Sequence, residues 1–402
     1  MKGVARALAA LVGLLAACRA GAPPPPVGTG IPAASPGALG FDSTRLAAAV
    51  QYLGAQADSG AFPGAVLAVG RHGRLALLAA VGHYGTDDAR PVQPGTLYDL
   101  ASLTKVVGLT TACMLLVDEG ALALDSPVER YLPEFRGAMK DRVTIRHLLT
   151  HSSGLPAWRP LYREADSRAT AFWVVNTTPL TTTPGRAYVY SDLGAIVLTE
   201  VVERITGERL DQYVAQRVFG PLGMPATRYL PPAGWQDRIA PTENDTVFRH
   251  RMLRGEVHDE NAGRLGGVSG HAGLFSNAPD LARFAAMLLN RGSWDTLQLI
   301  RSETVEEFTR RQNVVPGSSR ALGWDTPPQP PDSTSSAGTR LSERAVGHTG
   351  FTGTSIWIDP EKDLFVILLT NRVHPTRTNT AILRVRPRVA DLVADALTHP
   401  EL

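Results

Sequence analysis

Lysine and cysteine are the scarce residues of this chain. Lys2, Lys105, Lys140 and Lys362 are the lysines among 40 basic residues, and 2 cysteines, Cys18 and Cys113, occur in 402 positions. So few cysteines exclude a disulfide-dense scaffold. An excess of one charge is also missing: 40 Lys plus Arg against 38 Asp plus Glu leave +2, which gives no global field to steer nucleic acid. No nucleic-acid partner is expected. The chain carries no P-loop and no complete dinucleotide fingerprint, so no cofactor is expected either. The serine elbow G-x-S-x-G is broken at its last position in Gly267-Val268-Ser269-Gly270-His271. A metal hydrolase would need ligands in register. The cluster His258-Asp259-Glu260-Asn261, with His250 and His271 nearby, lacks the helical H-E-x-x-H spacing, so no metal is expected.

The first residues read as a targeting segment. Lys2 and Arg6 form a short basic region, and the apolar residues 8–17 are too few to span a membrane as a mature helix. Leu15-Ala16-Ala17-Cys18 resembles the lipobox of bacterial lipoproteins. That resemblance implies a signal peptide over residues 1–18, with Cys18 as the lipidated first residue and membrane anchor. Arg19 in place of Asp implies the outer membrane, and so a location in the cell envelope on its periplasmic face. Residues 19–40, with Pro23-Pro24-Pro25-Pro26, read as a solvated tether reaching several tens of ångströms at about 3.1 Å per residue. Cys113 reads as a buried structural thiol.

Periodicity places the main elements. Residues 43–57 have helical apolar spacing, with Asp42 or Ser43 as cap. Residues 65–69 and 75–81 are apolar strands joined by the hairpin signal Arg71-His72-Gly73-Arg74. A helix starting at Ser102 ends at Gly120 with a C-cap signature. Helices follow at residues 144–150, 193–205, 210–218, 280–289 and 302–311. Residues 231–273 lack periodicity and read as loop, and residues 327–339 as a mobile Pro/Ser/Thr insertion. Strands at 354–358 and 364–369 and a closing helix at 389–397 complete the chain. Strands from both ends must share one sheet to bury their faces. The expected class is α+β: an antiparallel sheet flanked by N- and C-terminal helices within a domain of residues 42–398. A helical subdomain of about residues 121–320 is inserted between the sheet-forming parts.

Tyr98-Asp99-Leu100-Ala101-Ser102-Leu103-Thr104-Lys105 opens the apolar run at 106–117 and sets a serine and a lysine on one helical face. A partly desolvated lysine can act as a base toward such a hydroxyl. Chance supplies a pair of this kind in roughly one such chain in four at ordinary serine usage. Two distant segments give it weight. Tyr190-Ser191-Asp192 precedes the helix at 193–205, and His348-Thr349-Gly350 precedes the terminal hairpin, in the order that Ser-x-x-Lys acyl hydrolases require.

With these three elements the chain resembles the serine β-lactamase and penicillin-binding-protein superfamily, specifically its class C β-lactamase-like branch. Thr144-Ile145-Arg146-His147-Leu148-Leu149-Thr150-His151-Ser152-Ser153-Gly154-Leu155 and Gly270-His271-Ala272-Gly273-Leu274-Phe275-Ser276 are typical of that branch. The resemblance implies that Ser102 is the acyl-forming nucleophile and that Lys105 and Tyr190 share its proton handling. It implies an oxyanion hole from the backbone N–H groups of Ser102 and Phe351, with His348, Thr349 and Gly350 orienting substrate. Asp192 stands where many relatives carry Asn. If ionised it is acceptor-only and raises the pKa of a nearby Lys105, which shifts base duty to Tyr190; alternatively it only caps its helix. His348 replaces the usual lysine and is mostly neutral at neutral pH, which weakens recognition of a free carboxylate. The implied activity is a D-Ala-D-Ala-type carboxypeptidase or D-peptidase acting on a peptidoglycan peptide or small acyl substrate. A carboxylesterase and a weak β-lactamase are alternatives. A non-catalytic penicillin-binding sensor is the alternative of another class, and intact Ser102, Lys105 and Tyr190 argue against it.

Overall fold

The computed structural model describes residues 30–398. Cys18, the lipobox and residues 19–29 lie outside the described residues. Helix α1 (Ser43–Asp58) is capped by Asp42, whose carboxylate accepts from the Thr44 and Arg45 N–H groups at 2.8 and 3.0 Å. Strands β1 (Gly64–Arg71) and β2 (Arg74–Gly82) form a hairpin. Its turn holds His72 and Gly73 at φ +54° and +66°, the left-handed geometry that tight hairpins need.

The terminal strands are β3 (Val346–Thr349), β4 (Ser355–Asp359) and β5 (Leu364–Thr370). They join the hairpin in one antiparallel sheet of order β3-β4-β5-β1-β2, with Ala65 opposite Thr370. Every residue of β5 is buried, because both sheet faces are covered. Leu364, Val366 and Leu368 pack toward α1 and the closing helix, while Phe365, Ile367 and Leu369 face the helical middle of the chain.

That middle contains α2 (Thr111–Asp118), α3 (Asp192–Thr206) and α4 (Ala278–Leu289); α5 (Ile382–Ala394) closes the chain against α1. The expected α+β class with an antiparallel sheet and flanking terminal helices holds. The stretch Ala101–Asp118 is apolar enough to cross a membrane by composition, but 83% of it is buried within the protein. Cys113 is fully buried and, among the described residues, unpaired, and burial pushes its thiol up to about 12.

Four expectations change. Residues 30–40, expected as the end of a solvated tether, lie on the domain. Ile31 and Leu39 are buried, and Pro32 and Ala34 exchange backbone bonds of 2.8 and 2.9 Å with Leu75. They cover part of the open edge of β2, whose unpaired backbone groups need partners. Helix α5 starts at Ile382 rather than 389, with Pro387 inside it; its polar first half and the proline hid the periodicity. Residues 231–273 are no solvated loop. They contain the helix Glu260–Arg264 and a paired segment, Asn244–Asp245 with Arg251–Met252. Buried ion pairs hold them, such as Arg249 with Asp245 at 2.9 Å, and ion pairing leaves no periodic signal. Residues 327–339 are anchored: Ala337 is buried beside Trp357, and the Thr339 N–H donates to Asp391 at 2.7 Å.

Candidate active site

Ser102 sits on a tightly wound entry to α2. Ala101–Leu103 is a 3-10 turn, Lys105–Thr110 is wound as a π-helix, and regular α-helix begins only at Thr111. The Thr111 hydroxyl donates to Val106 O at 3.0 Å, five residues back, as that wider winding allows. Ala101 itself is at φ +46°, a left-handed conformation that costs an alanine energy. Buried Asp99 holds it there. One carboxylate oxygen accepts from the Ala101 N–H at 2.8 Å and the other from the His258 N–H at 2.6 Å. Burial pushes the Asp99 carboxyl up, and these two N–H groups oppose that rise.

Lys105 is buried with its Nζ surrounded by oxygens: Ser102 Oγ at 3.1 Å, His271 O at 3.1 Å and Asp192 Oδ1 at 2.7 Å. An ammonium has only donors to offer, so this cage suits the protonated form. Burial alone would pull Lys105 down, but the Asp192 carboxylate and Tyr190 reverse it and leave Lys105 above its ordinary value. Ser191, not Asp192, is the cap of α3: its hydroxyl accepts from the Gly194 N–H at 3.2 Å. The Asp192 carboxylate is spent on Lys105 instead. Tyr190 lies with its ring centroid 4.9 Å from Lys105 Nζ and 4.6 Å from the His151 ring. His151 Nδ1 accepts from the Ser191 N–H at 3.1 Å and so braces the segment that carries Tyr190.

The third side of the site is the end of β3. His348 Nδ1 donates to Thr349 O at 2.8 Å, which leaves Nε2 as a bare acceptor, buried and without a partner. Burial, with Arg320 and Lys105 nearby, holds the ring well below the ordinary histidine value, so it is neutral. At Gly350 a side chain would collide with Leu100 O and the Thr354 hydroxyl. Glycine thus lets the 350–354 turn dock on the segment before Ser102. Thr352 and Thr354 tie that contact by donating to Asp99 O and Leu100 O at 2.7 and 3.0 Å. Phe351 follows, half exposed, its ring stacked on His258 at 5.6 Å.

Ser102, Tyr190, His348, Thr349, Gly350 and Phe351 line one cleft of about 540 Å³, with Lys105 and Asp192 behind its wall. The structure therefore brings the sequence-nominated residues that lie among the described residues to one place. The histidines and acids between residues 258 and 271 meet other partners. His258 pairs with Glu243 at 2.9 Å, His271 with Asp259 at 2.8 Å, and Glu260 with Arg377 at 2.7 Å. Burial alone would raise Asp259, but His271 holds it well below the usual carboxylate range. Sequence alone assigns no part to Asp99, His151, Arg320, Arg372 or Arg386. Asp99 lies within the Ser102 stretch and His151 within a motif of the branch, so position gave a faint signal for those two. The arginines gave none.

A Ser-x-x-Lys pair with its lysine buried and its serine at the cleft, met by a tyrosine and a strand-borne His-Thr-Gly under an antiparallel sheet, defines a serine hydrolase of the β-lactamase and penicillin-binding-protein class. Residues 47–389 match the family model described as Beta-lactamase, and the chain belongs to that family. A Salmonella agona (strain SL483) protein, provisionally named D-alanyl-D-alanine carboxypeptidase, is 34% identical over 390 residues, covering 89% of this chain and 88% of that relative. Among solved structures, EstCE1, a hydrolase with promiscuous acyltransferase activity, superposes with a TM-score of 0.69 at 24% identity, over 88% of this chain and 99% of that one. A class C β-lactamase from Rhodobacter sphaeroides does so at 0.68 and 23%, over the same shares of the two chains, 88% and 99%. At those identities the structures establish the fold.

Proposed function

We propose that this serine hydrolase is a D-Ala-D-Ala-type carboxypeptidase or D-peptidase that works through an acyl-enzyme on Ser102. One observation carries the reading: Ser102 Oγ, Lys105 Nζ and Asp192 form a continuous chain of 3.1 and 2.7 Å contacts at a cleft walled by Tyr190 and His348-Thr349-Gly350. The name of the Salmonella relative supports the choice of substrate class. Ser102 Oγ attacks the acyl carbonyl as its proton moves to the Tyr190 oxygen and the Tyr190 O–H proton moves on to the leaving nitrogen, since Lys105 is held as an ammonium by Asp192. The Ser102 and Phe351 N–H groups bind the oxyanion. The amide bond between the acyl carbon and the leaving nitrogen breaks, the departing amine takes the proton relayed through Tyr190, and water then cleaves the Ser102 ester by the same relay. The neutral His348 ring favours a second reading, a carboxylesterase whose substrates carry no free acid. We place the enzyme in the cell envelope, anchored through Cys18, on the strength of Leu15-Ala16-Ala17-Cys18 alone.

Intact-mass detection of the adduct tests this, comparing wild type with Ser102→Ala across a D-Ala-D-Ala peptide, nitrocefin and a short-chain aryl ester. The expected result is a Ser102-dependent adduct and D-alanine release from the peptide. Adducts from the ester alone favour the second reading, and an adduct that survives in Ser102→Ala refutes both.

A further inference from the structure

The turn after β3 is held from behind by two cations. Arg386, on α5, is 7% exposed, and its Nη2 donates to Gly350 O and Thr354 O at 2.5 and 2.8 Å. Arg372 is as deeply buried, and its Nε donates to Phe351 O at 2.8 Å. Arg386 pairs with no acid among the described residues, and its Nε is buried without a partner. Burial drives it down to about 9, and neighbouring Arg372 adds repulsion. A buried charge without a counter-charge is costly, whereas the neutral N–H groups of an amide side chain could tie the same carbonyls. Holding the turn therefore accounts for the bonds but not for the charge.

Peptide geometry gives the charge a role. The Gly350–Phe351 bond is trans, since the cis bonds of the described residues are Gln329–Pro330 and His374–Pro375. In a trans unit the C=O and the N–H point in opposite directions. By gripping Gly350 O, Arg386 turns the Phe351 N–H to the opposite side of that peptide, at a residue that shares the cleft with Ser102. Among the described residues this N–H donates to no group, so it is free for a ligand. Arg372 holds the next carbonyl, Phe351 O, so both peptide planes flanking Phe351 are set. A cation on a carbonyl also draws charge along the amide and strengthens its N–H as a donor. Thr352 and Thr354 tie the same turn to Asp99 O and Leu100 O, just ahead of Ser102.

We propose that Arg386 is a positioning residue of the oxyanion hole: its guanidinium aims and polarises the Phe351 N–H, and its unpaired charge is answered by the oxyanion that forms when Ser102 attacks. This rests on the reading of Ser102 as the nucleophile of an acyl hydrolase and of the Phe351 N–H as a donor to the oxyanion. As Ser102 Oγ bonds the acyl carbon, the C=O electron pair moves onto the oxygen that these N–H groups bind. A negative charge then stands opposite the buried cation, which has none in the resting enzyme. The interaction therefore favours the transition state over bound substrate. Arg372 supports the same donor by fixing Phe351 O.

The test measures kcat and KM for a neutral aryl ester and for its thionoester, in which sulfur replaces the carbonyl oxygen, in wild type, Arg386→Met, Arg386→Lys and Arg372→Gln. Sulfur accepts hydrogen bonds poorly, so an intact oxyanion hole should favour the oxygen ester. Arg386→Met should lower kcat on that ester by about 10- to 100-fold with KM little changed, and should shrink the ester-to-thionoester ratio by about tenfold. Arg386→Lys keeps a charge and a donor, and should recover part of both losses. Arg372→Gln should shrink the ratio by a smaller factor, and it supplies the independent measurement should Arg386→Met not fold. Variants that lower both esters alike, or that raise KM at constant kcat, overturn the positioning role. Intact mass on the neutral ester, in wild type and Ser102→Ala, separates the two failures. A Ser102-dependent adduct with an unmoved ratio removes only the role of Arg386, whereas no Ser102-dependent adduct removes the nucleophile reading as well.

Discussion

Asp99 is the residue whose replacement should reveal most about how Ser102 is aimed. Its carboxylate serves two backbone N–H groups at once, Ala101 at 2.8 Å and His258 at 2.6 Å. Asparagine offers one acceptor oxygen, so Asp99→Asn must strand one N–H and turn an amide donor toward it. A buried hydrogen bond to a charged group contributes about 1.5–3 kcal/mol. A left-handed alanine costs roughly 1–2 kcal/mol, so without Asp99 the Ala101 conformation at φ +46° loses its main support. If that strain is what points Ser102 into the cleft, kcat on a neutral aryl ester should fall by about 10- to 100-fold while KM changes little. Ala101→Gly in the same background should restore part of the loss, because glycine adopts positive φ without penalty. A purely structural Asp99 would lower thermal stability but give no rescue of kcat by glycine. The assay is a double-mutant cycle in kcat, with thermal midpoints recorded in parallel. A cycle in which the two substitutions add independently refutes the argument.

Two pH effects follow from the charges around Lys105 and His348. Asp192→Asn removes the largest influence opposing burial at Lys105 and leaves Tyr190 alone against it, so the lysine should lose its proton at lower pH, and the basic limb of kcat/KM should move down by about one pH unit or more; an unmoved limb excludes Asp192 from proton control. His348 is held neutral by burial, Arg320 and Lys105, so kcat/KM should show no inflection from it between about pH 5 and 8. An inflection in wild type that disappears in His348→Gln would show that the ring does titrate in that window.

The sheet and the gathering of the site were legible because both leave marks in residue order. Apolar runs bounded by turn signals located β1, β2, β4 and β5, and the three motifs placed Ser102, Tyr190 and His348 in one cleft. Boundaries set by single side chains were not legible. Whether Ser191 or Asp192 caps α3 depends on which oxygen meets the Gly194 N–H, and either residue type is a good cap. Pro387 and the charges around it concealed the first half of α5. The strain at Ala101 has no sequence signature, since alanine is read as a helix former. Arg372 and Arg386 look like ordinary surface cations until the fold buries them on carbonyls. The segment over residues 231–273 is held by charge pairs such as Glu243 with His258 and Arg377, and those partners are matched by geometry rather than by period.

The place of β1 in the sheet governs when this chain can fold. β1 emerges early, yet one of its two neighbours is β5, with Ala65 opposite Thr370. The start and end of the fold are stitched as well: Asp42 N donates to Ala396 O at 2.8 Å, and Thr398 N to Gly40 O at 2.9 Å. Until the last strand and helix have been synthesised, one edge of β1 and the side of α1 that meets α5 have nothing to pair with. Contacts of such long sequence separation must overcome loop-closure entropy before they stabilise anything. The β1–β2 hairpin can form during synthesis, but the sheet cannot close until β5 has emerged from the ribosome. A protein with this topology therefore reaches its working form only after residues 364–398 have been made, however early its nucleophile emerges.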